Sequence, residues 1–228
     1  MNLGPNTDHT IVIGLGEVSD LTRNHYVKAA PTAANILKEK GVSKVSAQVR
    51  PYGCADAVYG LQAPAEGFLL ADYSFDEYRS EKPSKALEEV SLLSESNTAD
   101  TDLNEIINLL KAINFTRDLV NTPANDLYPQ TLADEMFKAL DGTDVDIEVF
   151  GKKALTDSGT EALLAVSQGS AREPRMLVLK YLPLGEDEPV VCLVGKGVTY
   201  ASGGYAIKSA KGMVMMMVDM AGAASCVG

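Results

Sequence analysis

The chain is short of the side chains that most often do chemistry. Its 228 residues include two histidines, His9 and His25, both near the N-terminus. No histidine therefore stands near Ser202 in sequence. Ser202, set in A-S-G-G, also lacks the G-x-S-x-G context of a nucleophile elbow. Three cysteines, Cys54, Cys192 and Cys226, are odd in number and widely spaced. That excludes a disulfide framework and a zinc ribbon, and reads as buried thiols in a reducing compartment. Basic residues are outnumbered, 20 against 31 acidic, for a net charge of −11. Such a balance argues against a general nucleic-acid or anionic-membrane binder, which needs a basic surface. No apolar run reads as long enough to span a bilayer. The opening M-N-L-G-P-N-T-D-H lacks the basic and apolar regions of a signal peptide. A cytoplasmic protein is the expectation.

What is present is enough apolar content, 46%, to build folded domains, and the length suits one large or two small ones. Ile11–Leu15 reads as a strand running into Gly14 and Gly16. The third glycine and immediate helix of a dinucleotide fingerprint do not follow, so a plain strand-to-loop passage competes with a nucleotide turn. Residues 24–40 read as a helix stopped by Gly41, with Pro31 implying a kink or a later start and His25 on its surface. Val45, Ala47 and Val49 alternate as a strand, 56–71 has helical spacing weakened by Pro64, and 90–93 reads as a further strand. Tyr73, Phe75 and Tyr78 lie in a charged run that anchors a connecting loop.

The polar stretch 97–102 marks a linker, and Leu103, Ile106, Ile107, Leu110 and Ile113 form a helical stripe that Thr101 or Asp102 would cap. Pro123 and Pro129, with Asn121 and Asn125 as scaffold residues, mark a structured loop. A helix over 131–140, a strand over 145–149, two short helices within 151–169 and a strand over 176–182 follow. Val190–Val194 reads as a buried strand, and a Met- and Ala-rich segment after Lys208 as a buried helix. Alternating strands and helices predict an α/β fold. The division expected is a smaller N-terminal sheet-and-helix domain (1–96), a linker helix (97–118) and a doubly wound domain (119–228). Ligands in such sheets gather at the carboxyl ends of strands, where Lys196 would stand.

The stretch from Val194 to Gly228 organises these expectations. Gly195, Gly197, Gly203 and Gly204 break its periodicity, and Lys196, Lys208 and Asp219 lie among apolar neighbours. Glycine allows left-handed turns and close backbone approach. A lone aspartate among Met and Ala is costly to bury unless it is paired or holds a cation. A structural Lys–Asp pair and a metal site both satisfy that requirement. A phosphate loop does not fit, because Ile207 rather than glycine precedes Lys208.

The run V-G-K-G-V-T-Y-A-S-G-G-Y-A-I-K through D-M-A-G-A-A resembles the metal-binding signature of the leucyl (cytosol) aminopeptidase family, two-metal exopeptidases. A second stretch, N-T-P at 121–123, resembles the opening of the same family's catalytic domain. The resemblance implies that Lys196 and Asp219 are metal ligands, Lys208 a catalytic lysine and Met216 a substrate-pocket residue. It implies two divalent cations (zinc, manganese or magnesium), a peptide or amino-acid amide substrate with a free N-terminus, and a homo-oligomer, a hexamer in the family.

There are departures from the pattern. Ala201 stands where the family has an aspartate bridging both metals, and a methyl group cannot coordinate a cation. Met217 stands where many relatives carry lysine. The family's remaining Asp and Glu ligands and a catalytic arginine are expected beyond Gly228, and the start of its smaller domain before this chain's first elements. The expectation is weak or single-site metal binding and impaired hydrolysis. Two other readings stay open: a non-catalytic family member kept for assembly, and a small-molecule or nucleotide binder using the N-terminal domain.

Overall fold

The structure, a computed structural model, describes residues 10–49, 57–81, 87–94, 103–185 and 188–228. The chain divides into two compact units, Met1–Lys111 and Ala112–Gly228. Each is α/β in character. The expected linker at 97–102, with the proposed caps Thr101 and Asp102, lies outside the described residues, as do His9 and Cys54.

The first unit is built on helix α1 (Arg23–Glu39), strand β1 (Lys44–Val49), helix α2 (Ala57–Asp72) and strand β2 (Glu89–Ser94). β1 and β2 pair in parallel, from Lys44 opposite Glu89 to Val49 opposite Ser94. Parallel neighbours need a crossover, and α2 supplies it. Ala30, Ala34 and Leu37 of α1 and Phe68 of α2 form a core against Val45, Ala47, Val90 and Leu92 of the strands.

Neither proline breaks its helix. Pro31 lies inside α1 and Pro64 inside α2. A proline at 31 deprives the Val27 carbonyl of its helical donor. The backbone of Gly67 packs against that same carbonyl: a Cβ at 67 would lie 2.4 Å from Val27 O and 2.7 Å from Ala30 Cβ. Glycine at this point lets α2 close on α1 where the proline opened it.

The surface histidine has a local task. Thr22 N–H donates to His25 Nδ1 at 3.1 Å, so His25 caps the start of α1 as a glutamate would in a capping box. Ile11–Leu15 is not a strand: it has no ladder partner among the described residues. Ile11 and Leu15 pack against the core clusters while Val12 is exposed. The alternation is real, and it serves packing alone.

Helix α3 (Asn104–Asn121) runs well past the apolar stripe that announced it. In the second unit follow α4 (Pro129–Ala139), β3 (Asp146–Phe150), α5 (Lys152–Asp157), α6 (Glu161–Ser167), β4 (Met176–Lys180), α7 (Ala210–Met213), a 3-10 helix (Val214–Met220) and α8 (Ala221–Val227). Pro129 takes the first turn of α4, where its missing N–H costs nothing. β3 and β4 pair antiparallel. The core joins Leu119, Leu127, Leu132 and Met136 to Met220 and Ala224, so the C-terminal helical segment is held by α3 and α4.

Three expectations fail in this unit. Val190–Val194 is neither strand nor buried: Val191 is 85% and Val194 90% exposed. An apolar, β-branched run needs neighbouring strands to hide it, and none among the described residues pairs with it. Cys192 is accordingly exposed and Cys226 only half-buried, contrary to the expectation of buried thiols. Finally, Ala210–Val227 is long and apolar enough, at 18 residues, to cross a membrane by length and composition. It is broken into three helical pieces, carries Lys211 and Asp219, and inserts Met220 and Ala224 into the apolar core.

Candidate functional site

The site is assembled by close backbone contact between two segments remote in sequence. A Cβ on Gly195 would lie 2.4 Å from Gly222 O, and one on Gly222 would lie 2.9 Å from Lys196 N. Ala223 N–H donates to Lys196 O at 2.9 Å. Two facing glycines thus let residues 195–197 lie flat against the first turn of α8, immediately beyond Asp219. Met220, 1% exposed, anchors that turn in the core.

The consequence is an ion pair. Lys196 Nζ stands 2.6 Å from Asp219 Oδ2, with the lysine side chain 61% and the aspartate 24% exposed. Oδ2 is itself buried and accepts no hydrogen bond. The lysine is near enough to pair by charge but is off the direction a hydrogen bond needs. An acceptor left in this state retains capacity for a further positive partner. As an ion pair half open to solvent, the contact contributes less than about 1 kcal/mol to stability.

The second lysine is positioned by a turn. Gly203 and Gly204 have φ of 100° and 64°. A Cβ on Gly203 would also meet Ala206 O at 2.4 Å. The chain doubles back so that Lys208 N–H donates to Ser202 O at 2.9 Å. Ser209 then caps α7, its hydroxyl accepting from Gly212 N–H at 3.2 Å. Lys208 Nζ lies against Met216 Sδ, so these two residues also come together. Ala201 is half-buried and offers no donor atom.

Beside these residues an open hollow of about 440 Å³ is lined by Pro123, Ala124, Asn125, Tyr200, Val214 and Met217. The N-T-P loop and the 196–219 segment therefore share one surface depression. Met217 lines it, whereas Met216 is engaged by Lys208. Asn125 Nδ2 donates to Asp126 Oδ1 at 2.8 Å, a contact that shapes the loop.

The donor set does not fit two cations. One carboxylate and one amine face each other, and no group of three or more His, Cys, Asp or Glu side chains converges among the described residues. Closed divalent sites take at least four ligands. Sequence reasoning missed the Gly222 partner of Gly195. The only signal for it was a glycine interrupting an otherwise helical D-M-A-G-A-A run.

Known proteins are similar to this chain. The cytosol aminopeptidase family's N-terminal domain matches residues 2–82, and its catalytic domain matches residues 114–228. The probable cytosol aminopeptidase of Geotalea uraniireducens is 37% identical over 97% of this chain and 46% of its own length. That of Treponema denticola is 35% identical over 99% of this chain and 48% of its own. Among solved structures, the bottromycin maturation enzyme BotP in complex with Mn aligns with a TM-score of 0.78 and 32% identity, over 93% of this chain and 44% of that one. Cytosol aminopeptidase from Coxiella burnetii aligns at 0.66 with 28% identity, over 88% and 39%. The chain spans about half the length of the curated relatives it matches. With both domains of the family present in order, and the catalytic one covering half the sequence, the chain belongs to the cytosol aminopeptidase family.

Proposed function

We propose that residues 195–219 form the lysine-and-aspartate side of an aminopeptidase metal centre. The reaction is removal of N-terminal amino acids from peptides or amino-acid amides in the cytoplasm. The observation that carries this reading is the Lys196–Asp219 approach at 2.6 Å, with a buried carboxylate oxygen left without a hydrogen bond. Family membership supports it, as does the manganese named with BotP.

The roles follow from the chemistry of each group. Asp219 offers a carboxylate oxygen to a hard or borderline divalent cation: manganese, zinc or magnesium. Lys196 would be a ligand only as the neutral amine, so a cation held there would have to displace its proton. Lys208 brings a fixed positive charge to where negative charge develops on a scissile carbonyl oxygen. The apolar hollow lined by Tyr200 and Met217 would receive the substrate's side chain, while Met216 is held against Lys208.

With Ala201 at the bridging position, this chain binds one cation weakly and cleaves peptides little. Isothermal titration with manganese tests this, since exposed Cys192 would also take zinc. The expected result is one weak equivalent, lost in Asp219→Asn. Tight binding of two equivalents would overturn the reading. The same ligand-poor site favours a second reading, a family member retained for assembly into homo-oligomers. Turnover of an amino-acid p-nitroanilide by Ala201→Asp, and not by the parent chain, would argue for an impaired enzyme over a purely structural subunit.

A further inference from the structure

His25 closes the first turn of α1 with a ring nitrogen. Thr22 N–H donates to His25 Nδ1 at 3.1 Å, and the Thr22 hydroxyl lies 2.9 Å from the same atom. A backbone N–H can only donate, so Nδ1 is bare and the ring proton sits on Nε2. We infer that His25 is a proton-sensitive latch on this turn, closed by the neutral ring and opened when Nδ1 takes a proton.

The capping box usually holds Glu or Gln here, whose oxygen goes on accepting at neutral and mildly acidic pH. Imidazole instead changes charge between about pH 5 and 8. Protonated Nδ1 becomes a donor. It can still bond the Thr22 hydroxyl by donating to it, but it then meets Thr22 N–H donor to donor. The ring also brings positive charge to a helix end whose free N–H groups are already partly positive. The unfolded chain bears neither cost, so acid weakens the turn.

No ion pair offsets this effect among the described residues. The charged groups on the adjoining elements are Glu17 and Asp20 at the 3-10 turn Val18–Asp20, Arg23 and Lys28 on α1, and Glu66 on α2. Arg23 pairs with Glu66, and Asp20 accepts from the Ser19 hydroxyl.

The latch holds the entry to the first unit. Leu21 and Tyr26 are both buried, at the positions that a hydrophobic staple uses on either side of a cap. Tyr26 packs with Val49 of β1 and with Leu61 and Ala63 of α2, and Leu15 lies against the same cluster. Residues 11–15 have no ladder partner among the described residues, so packing and this cap fasten the entry segment. Opening the cap loosens it.

The test is amide exchange at Thr22 in the isotope-labelled full chain, read by NMR at about pH 7.5 and about pH 5. Protection, with the intrinsic pH dependence divided out, should fall about fivefold at the lower pH. Ring-nitrogen spectra at the higher pH should show the Nε2–H tautomer of His25. His25→Gln should keep the protection at both pH values, because its amide oxygen accepts and does not titrate. His25→Ala should lack it at both. His9→Gln should reproduce the parent profile. An Nδ1–H tautomer in the parent would overturn the proposal. So would an equal fall in His25→Gln, or protection in the parent that does not change with pH.

Discussion

Each unit of this protein uses glycine to bring two backbones into contact, and the two contacts do different work. In the first, Gly67 closes α2 onto the Val27 carbonyl of α1, beside buried Ala30 and Phe68. In the second, Gly195 and Gly222 press a loop onto the start of α8, and the product is a half-exposed Lys196–Asp219 pair. The steric device is the same. Its surroundings decide the outcome: apolar neighbours make it a packing contact, and a water-facing lysine makes it a positioning contact.

Substitutions can break the comparison or sharpen it. The largest expected effect is in the anchor of the positioning contact. Met220→Ala should lower the stability of the second unit by about 3 kcal/mol, because the side chain is fully enclosed by the α3–α4 core. Urea unfolding followed by circular dichroism reads this, and manganese binding should fall with it. Gly67→Ala should cost about 2 kcal/mol in the same experiment, since its methyl would overlap the Val27 carbonyl. Manganese binding should then be unchanged at temperatures where the chain stays folded. A loss of binding would mean the two glycine contacts are coupled.

Ala201→Asp should tighten manganese about tenfold, equivalent to roughly 1.4 kcal/mol, by adding a third oxygen or nitrogen donor. An unchanged isotherm would place residue 201 away from the cation. The smallest effect belongs to the surface. Lys138 has its pKa raised above 10.5, first by the hydrogen bond it donates to Glu135 and then by that residue's charge. A raised lysine contributes stability that is complete below pH 10.5 and is lost as pH climbs through the higher folded value. Glu135→Gln should therefore lower the melting temperature only slightly at pH 7, because the pair is fully exposed, and its difference from the parent should vanish as pH climbs above the raised value.

Much of the chain was legible from local pattern. The helices over 23–39, 57–72 and 129–139 and the strands over 44–49, 146–150 and 176–180 follow apolar periodicity closely. Their signals are local, because one face of each must find a core. The failures share one cause. Ile11–Leu15 and Val190–Val194 have strand-like sequences, yet a strand exists only where another backbone supplies its hydrogen bonds. Pro31 pointed to a kink or a later start and Pro64 to a weakened interior, and each lies inside a continuous helix. In α1 the Val27 carbonyl that Pro31 leaves without its helical donor lies against Gly67 of the neighbouring helix, which no window of sequence around Pro31 can show.

At the site, the glycines, Lys196, Lys208 and Asp219 stood out by residue type alone. Charged groups among apolar neighbours demand partners, and glycine marks backbone that has to turn or touch. What those groups meet was decided by tertiary structure. Lys196 reaches Asp219 because Gly195 and Gly222 have no Cβ, and Met216 turns to Lys208 while Met217 lines the hollow. Composition states that a charge needs a partner. Only packing, which sets ångström-scale distances between residues far apart in the chain, selects which one it gets.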